Sequence, residues 1–154
     1  MEAALTALQD SALADTVRYS RWVYAGVNGT HVLAVALLVG AIVPMDLRLL
    51  GLWQGIDRAA LARVLVPVAA IGLVLALVTG PMLFATRAVR YASYDIVLLK
   101  LALVGLGAGL AILLHARAGL WIDRATPRQA AFHGAASLVC WIGALACGRL
   151  IAYV

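Results

Sequence analysis

Long apolar runs alternate along the chain with short segments that hold most of its polar residues. The runs lie at about 23–45, 64–86, 96–116 and 129–153, each close to the roughly 20 apolar residues that a helix needs to cross a bilayer. The first is uncharged from Val23 to Met45, opens beside Trp22 and Tyr24 at expected headgroup level, and ends in Asp46-Leu47-Arg48. The second carries Pro67 near its start and Gly80-Pro81 near its end, which predicts a kinked helix because proline removes a backbone hydrogen bond. Before these runs, residues 3–19 place Leu5, Leu8, Ala12 and Val17 among polar neighbours, the weak amphipathic pattern of a short helix lying in the membrane interface.

Composition turns this pattern into a fold class. Of 154 residues, 65% are hydrophobic and 12% charged, with mean hydropathy +1.01, against roughly 25% charged in an average soluble domain. The expectation is an all-α integral membrane protein: one transmembrane domain over residues 1–154, built as a four-helix bundle behind a short interfacial helix. The net charge of +5 resides in arginines between the apolar runs, where they serve as topology signals and headgroup contacts, and argues against a nucleic-acid partner. Asp10 and Asp15 precede the first run in place of a basic signal-peptide region, so the first helix is expected to be retained. Arg48, Arg58, Arg63, Arg117, Arg124 and Arg128 fall on one side, and Arg18, Arg21, Arg87, Arg90, Lys100 and Arg149 on the other. Discounting Lys100 and Arg149, which sit inside apolar runs, places both termini on the non-cytoplasmic side.

Ionisable residues within spans are costly and by default functional. They are His31, Lys100, His115, His133 and Arg149, with Asp46 at a span end. Lys100 and Arg149 lie near helix ends, where a long side chain either snorkels to the headgroups or meets a cofactor. Asp46 and Arg48 are expected to face solvent or pair at the helix end. His31 lies roughly 12 Å into its span at 1.5 Å per residue, too deep for a short imidazole to snorkel. Asn28, one turn earlier, is positioned to hold one ring nitrogen and leave the other for a metal, or the ring makes an interhelical hydrogen bond.

On the third helix, Lys100, Val104, Gly107, Ala111 and His115 form one stripe expected to face the bundle interior. Gly105 and Gly109 form a GxxxG pair that permits close helix approach. On the fourth, His133, Cys140 and Cys147 share a face by heptad spacing, the cysteines too far apart to bridge to each other; buried cysteines pack more often than they ligate.

Inward-facing histidines on several helices are the arrangement that holds haem b, with Arg or Lys for its propionates. Depth decides which histidines pair. His31 and His115 should be separated along the membrane normal by on the order of 20 Å, too far to share one iron. His115 and His133 lie at the same end of consecutive antiparallel helices and can meet at one metal; His31 lies nearer the depth of Lys100 and Arg149. One haem, two or none fit this pattern. There is no HExxH or CxxC spacing, and no nucleophile–base pair, phosphate loop or carboxylate dyad.

The segment from His31 to Gly51 (HVLAVALLVGAIVPMDLRLLG), the LKLAL around Lys100 with His115 beyond it, and the closing WIGALACGRLIAY from Trp141 to Tyr153 resemble a family of small bacterial four-helix membrane proteins over nearly the whole chain. More distantly they look like the CopD copper-resistance proteins and the HemJ-type protoporphyrinogen oxidases. The resemblance implies a multi-pass protein of the bacterial inner membrane. From the HemJ type, which binds haem b and uses an early-helix His and a later-helix Lys, it implies functional roles for His31 and Lys100. The chain lacks the tryptophan that follows the first-helix histidine in HemJ-type sequences. The expected function is haem b binding for electron transfer or HemJ-like redox chemistry, with a quinone or membrane redox partner and a second copy of the chain as further partners. The alternatives are copper or small-solute handling through His31, Cys140 and Cys147, soft thiolates favouring Cu(I), and a structural subunit without cofactor.

Overall fold

A computed structural model describes residues 2–153, and they are all-α. Two short helices, α1 (Glu2–Gln9) and α2 (Ala12–Tyr19), precede α3 (Arg21–Leu49) and α4 (Arg58–Ala85); a single turn and a half, α5 (Ala88–Ala92), leads to α6 (Asp95–Ala118) and α7 (Pro127–Leu150), which ends in a 3-10 turn at Ile151–Tyr153. Polar residues set the starts. Ser20 Oγ accepts from Val23 N and Asp57 Oδ1 from Ala60 N at 2.7 Å, each satisfying an amide that has no partner within its helix. Thr126 and Gln129 cap each other reciprocally at the start of α7, with Pro127 at the position where a missing N–H costs nothing.

Helices α3, α4, α6 and α7 are long and apolar enough to span a membrane. Their outward faces are covered with large apolar side chains, Ile71, Val74, Leu106, Ile112 and Val139 among them, all more than half exposed. A helix in water turns such residues inward; a bundle that wears them outside is matched to lipid, as composition predicts.

Helix α3 is the centre, packed along α4 on one side and against α7 on the other, while α6 packs on α7. Helices α4 and α6 do not pack on each other, and a gap remains between them. Glycines set the closest approaches. A β-carbon on Gly72 of α4 would stand 2.6 Å from Leu38 N and 2.7 Å from Ala34 O of α3, and one on Gly134 of α7 would stand 2.8 Å from Asp46 O. At Gly107 of α6 the same space is filled by the Trp141 indole, 2.9 Å from that position. The GxxxG pair behaves otherwise: Gly105 and Gly109 have nothing within 4 Å and face outward. Their spacing permits close approach, but the α6 stripe that turns inward is the one containing Gly107.

α3 continues through Pro44 to Leu49, so Asp46 and Arg48 belong to the helix. The second span runs unbroken as α4 through both Pro67 and Pro81. The N-terminal segment is two helices broken at Asp10-Ser11, docked against α3, α4 and α5. Ala14 and Val17 are fully buried there, Gln9 Oε1 accepts from Val89 N, and Arg18 donates to Gln9 O at 2.6 Å.

At the opposite end, Met45, Leu49, Ala62, Leu114, Ile122 and Ala130 form a buried cluster beneath the two connections. Arg48 donates to Ile56 O and Arg58 to Ala125 O, so these guanidinia tie loop carbonyls and Arg48 does not face solvent unpaired.

Candidate functional site

The polar side chains inside the spans fall into two groups at different depths. Toward the N-terminal end of α3, His31 Nδ1 lies 2.8 Å from Thr79 Oγ1 of α4, and Thr79 Oγ1 donates to Leu75 O at 2.7 Å. A hydroxyl has one proton. Because Thr79 gives it to the Leu75 carbonyl, His31 Nδ1–H is the donor in the first bond, and in the neutral ring that tautomer carries its lone pair on Nε2. Gly80 makes room for the ring, since a β-carbon there would stand 3.4 Å from His31 Cε1.

Thr79 therefore does what Asn28 was expected to do. Asn28 is exposed, and a bond across to α4 fixes the ring against a second helix, which a residue on α3 itself could not do. Lys100 does not reach outward. Its Nζ lies 3.4 Å from the place of a β-carbon on Gly148 of α7, so the side chain lies against α7. Arg149 is elsewhere: it is exposed, its guanidinium lies 4.9 Å from the Tyr153 ring centroid and it donates to the Tyr153 hydroxyl. That is the posture of a headgroup anchor.

The second group surrounds a cavity of about 440 Å³ in the gap between α4 and α6, with walls from all four spanning helices. Most of the wall is aliphatic, including Leu38, Ile42, Val66, Leu73 and Ala111. Into it come Asp46 of α3, His115 of α6, and His133, Ser137 and Trp141 of α7. His133, Ser137 and Trp141 follow each other at intervals of four residues, so one stripe of α7 supplies all three. Asp46, His133 and Trp141 are 5%, 8% and 3% exposed.

Ser137 and the Asp46 carboxyl line the cavity together. Asp46 Oδ2, His115 Nδ1, His133 Nδ1 and Trp141 Nε1 are buried without a hydrogen-bond partner. Buried polar atoms are almost always paired, and each one left alone costs about 1–3 kcal/mol. Several orphans around one apolar cavity leave donors and acceptors that a bound ligand or water would satisfy.

The pairing of His115 with His133 expected from their depth thus corresponds to a shared cavity wall, and neither His31 nor Lys100 lines it. Cys140 and Cys147 are free and buried, as their heptad spacing with His133 predicts, but they do not line the cavity either. Among the described residues no three His, Cys, Asp or Glu side chains gather as a metal cluster.

Sequence reasoning missed Ser137, Trp141 and Thr79 and misplaced Asp46. Asp46 reads as a solvated helix end; the signal against that is its place beside Met45 in the stripe Ala34, Leu38, Ala41, Met45, Leu49 that α3 buries. Ser137 and Trp141 are legible as the continuation of the His133 stripe. Thr79 carries no signal of its own, since only the packing of α4 on α3 sets it beside His31.

No family model matches the chain, and comparison with curated proteins and with solved structures found no match.

Proposed function

We propose that this multi-pass membrane protein holds haem b in the cavity between α4 and α6, for electron transfer with a quinone or membrane redox partner or for HemJ-like redox chemistry. The observation that carries the reading is the pair of imidazoles, His115 and His133, in the wall of one apolar cavity, each with a buried ring nitrogen lacking a partner. Haem iron takes one or two histidines as axial ligands, so a two-histidine wall suits it where a three-ligand metal site is lacking. The volume of about 440 Å³ falls in the range of roughly 300–1,000 Å³ typical of cofactor and ligand sites.

When bound, haem b supplies one-electron redox chemistry. The chain's own residues do the rest. The aliphatic walls from α3 and α4 exclude water, Gly107 makes room for the Trp141 indole against α6, and Asp46 with Ser137 offers a polar edge. The HemJ likeness adds His31 and Lys100 as a second pair toward the other end of the bundle, where Thr79 keeps the His31 Nε2 lone pair free. Copper handling has less support, because its thiols lie outside the cavity.

The test is the visible spectrum of the detergent-purified protein, oxidised and then reduced, with a pyridine haemochrome assay for stoichiometry. A Soret band with sharp reduced α and β bands is expected, lost or converted to a high-spin form in His115→Ala and in His133→Ala and retained in His31→Ala. A colourless protein from haem-replete cells overturns the reading. Copper retained through Cys140 and Cys147 would put the CopD-like alternative in its place.

A further inference from the structure

At the connection end of the bundle, a surface groove of about 500 Å³ runs between the last turn of α6 and the first turn of α7. Leu110, Leu113 and Phe132 form its apolar floor, and Arg117 and Arg128 stand over it. At this end Arg48 bonds the carbonyls of Ile56 and Gln54, and Arg58 that of Ala125; Arg63 and Arg124 lie outside the groove. Arg117 and Arg128 have no hydrogen-bond or ion-pair partner among the described residues. The N-terminus of α7 opens on the same groove through Thr126, Arg128 and Gln129, and its dipole adds positive potential where an anion would lie. His133, more than nine-tenths buried and unpartnered at Nδ1, lines the groove from below.

We infer that this groove binds the phosphate of an anionic phospholipid, with Arg117 and Arg128 on the phosphate and an acyl chain over Phe132, Leu113 and Leu110. Two unpaired guanidinia favour a phosphate, which they can grip with parallel hydrogen bonds. The apolar floor beneath them favours an amphiphile over a free ion. The groove opens outward from a helix pair whose neighbouring surface faces lipid, at the level where the span ends and headgroups lie. The site is separate from the haem proposal and stands without it. His133 lines both the groove and the cavity, so a headgroup in the groove lies next to one wall of the interior site.

The experiment is native mass spectrometry of the protein in neutral detergent, titrated with phosphatidylglycerol and, separately, with phosphatidylcholine. Arg117→Gln/Arg128→Gln is compared with Arg124→Gln, an exposed arginine of the same connection outside the groove. Retention of the anionic lipid should fall at least about ten-fold in the double variant, the loss of one or more charge-assisted hydrogen bonds. It should be unchanged in Arg124→Gln, and wild-type retention of phosphatidylcholine should be weaker by a similar factor. Equal retention of both lipids, or an equal loss in Arg124→Gln, overturns the site. Displacement of the lipid by millimolar inorganic phosphate would make the ligand a free oxyanion and overturn the lipid assignment. Haem lost together with the lipid in the double variant would assign the guanidinia to haem propionates and overturn it as well.

Discussion

Asp46 shows how a single side chain can lie in the interior with its hydrogen bonding incomplete. It is almost wholly buried, one carboxyl oxygen has no partner, and its surroundings are mainly aliphatic. Replacing an imperfectly paired buried polar group by an apolar one of similar size is often neutral or stabilising. Asp46→Leu is therefore expected to unfold at the same temperature as the parent or higher, measured by circular dichroism in detergent, and if the cavity holds haem as proposed, the haem bound per chain falls. A fold-stabilising carboxylate would give the reverse, with a loss of about 3–5 kcal/mol. His31 is the opposite case: its Nδ1–H is satisfied by Thr79, so the ring is held whether or not Nε2 finds a ligand.

At the scale of helices, glycines with identical local propensity have opposite roles. Gly72 meets the α3 backbone itself, where no rotamer change can relieve the contact. Gly72→Ala should separate α3 from α4 and cost about 1–3 kcal/mol or more, the usual penalty of overpacking. Gly105→Ala meets open space and should be neutral or stabilising by up to about 1 kcal/mol, the helix preference for alanine. Thermal or denaturant unfolding of the two variants decides it, and the same loss at both positions would contradict the packing described. The GxxxG spacing of Gly105 and Gly109 is visible in the sequence, as is Gly107 within the Lys100–His115 stripe. Which glycine faces a neighbour depends on the rotation of α6 about its axis, fixed by Trp141 packing on Gly107 and by Leu103 against Gly143.

For the whole molecule, the apolar exterior makes the bilayer part of the fold. Val74 lies mid-way along α4 on the lipid-facing surface. Val74→Arg should raise the insertion free energy of that helix by about 2.5–3.5 kcal/mol, read as reduced membrane integration in a glycosylation-mapping assay. Full integration of the variant would mean that this face of α4 does not see lipid. By itself, the sequence determined the helical class, the four spans and their apolar exterior, because hydropathy and length are local quantities. It also determined that His115 and His133 lie at one depth and His31 at another, because residue count along antiparallel helices sets depth. Only the tertiary structure decided that α4 and α6 stay apart to leave a cavity, that Asp46 turns into it and away from solvent, and that Thr79 in place of Asn28 holds His31. Those outcomes depend on helix rotation and on approach distances set across the bundle by Gly72, Gly134 and Gly107, which no periodicity along one segment encodes.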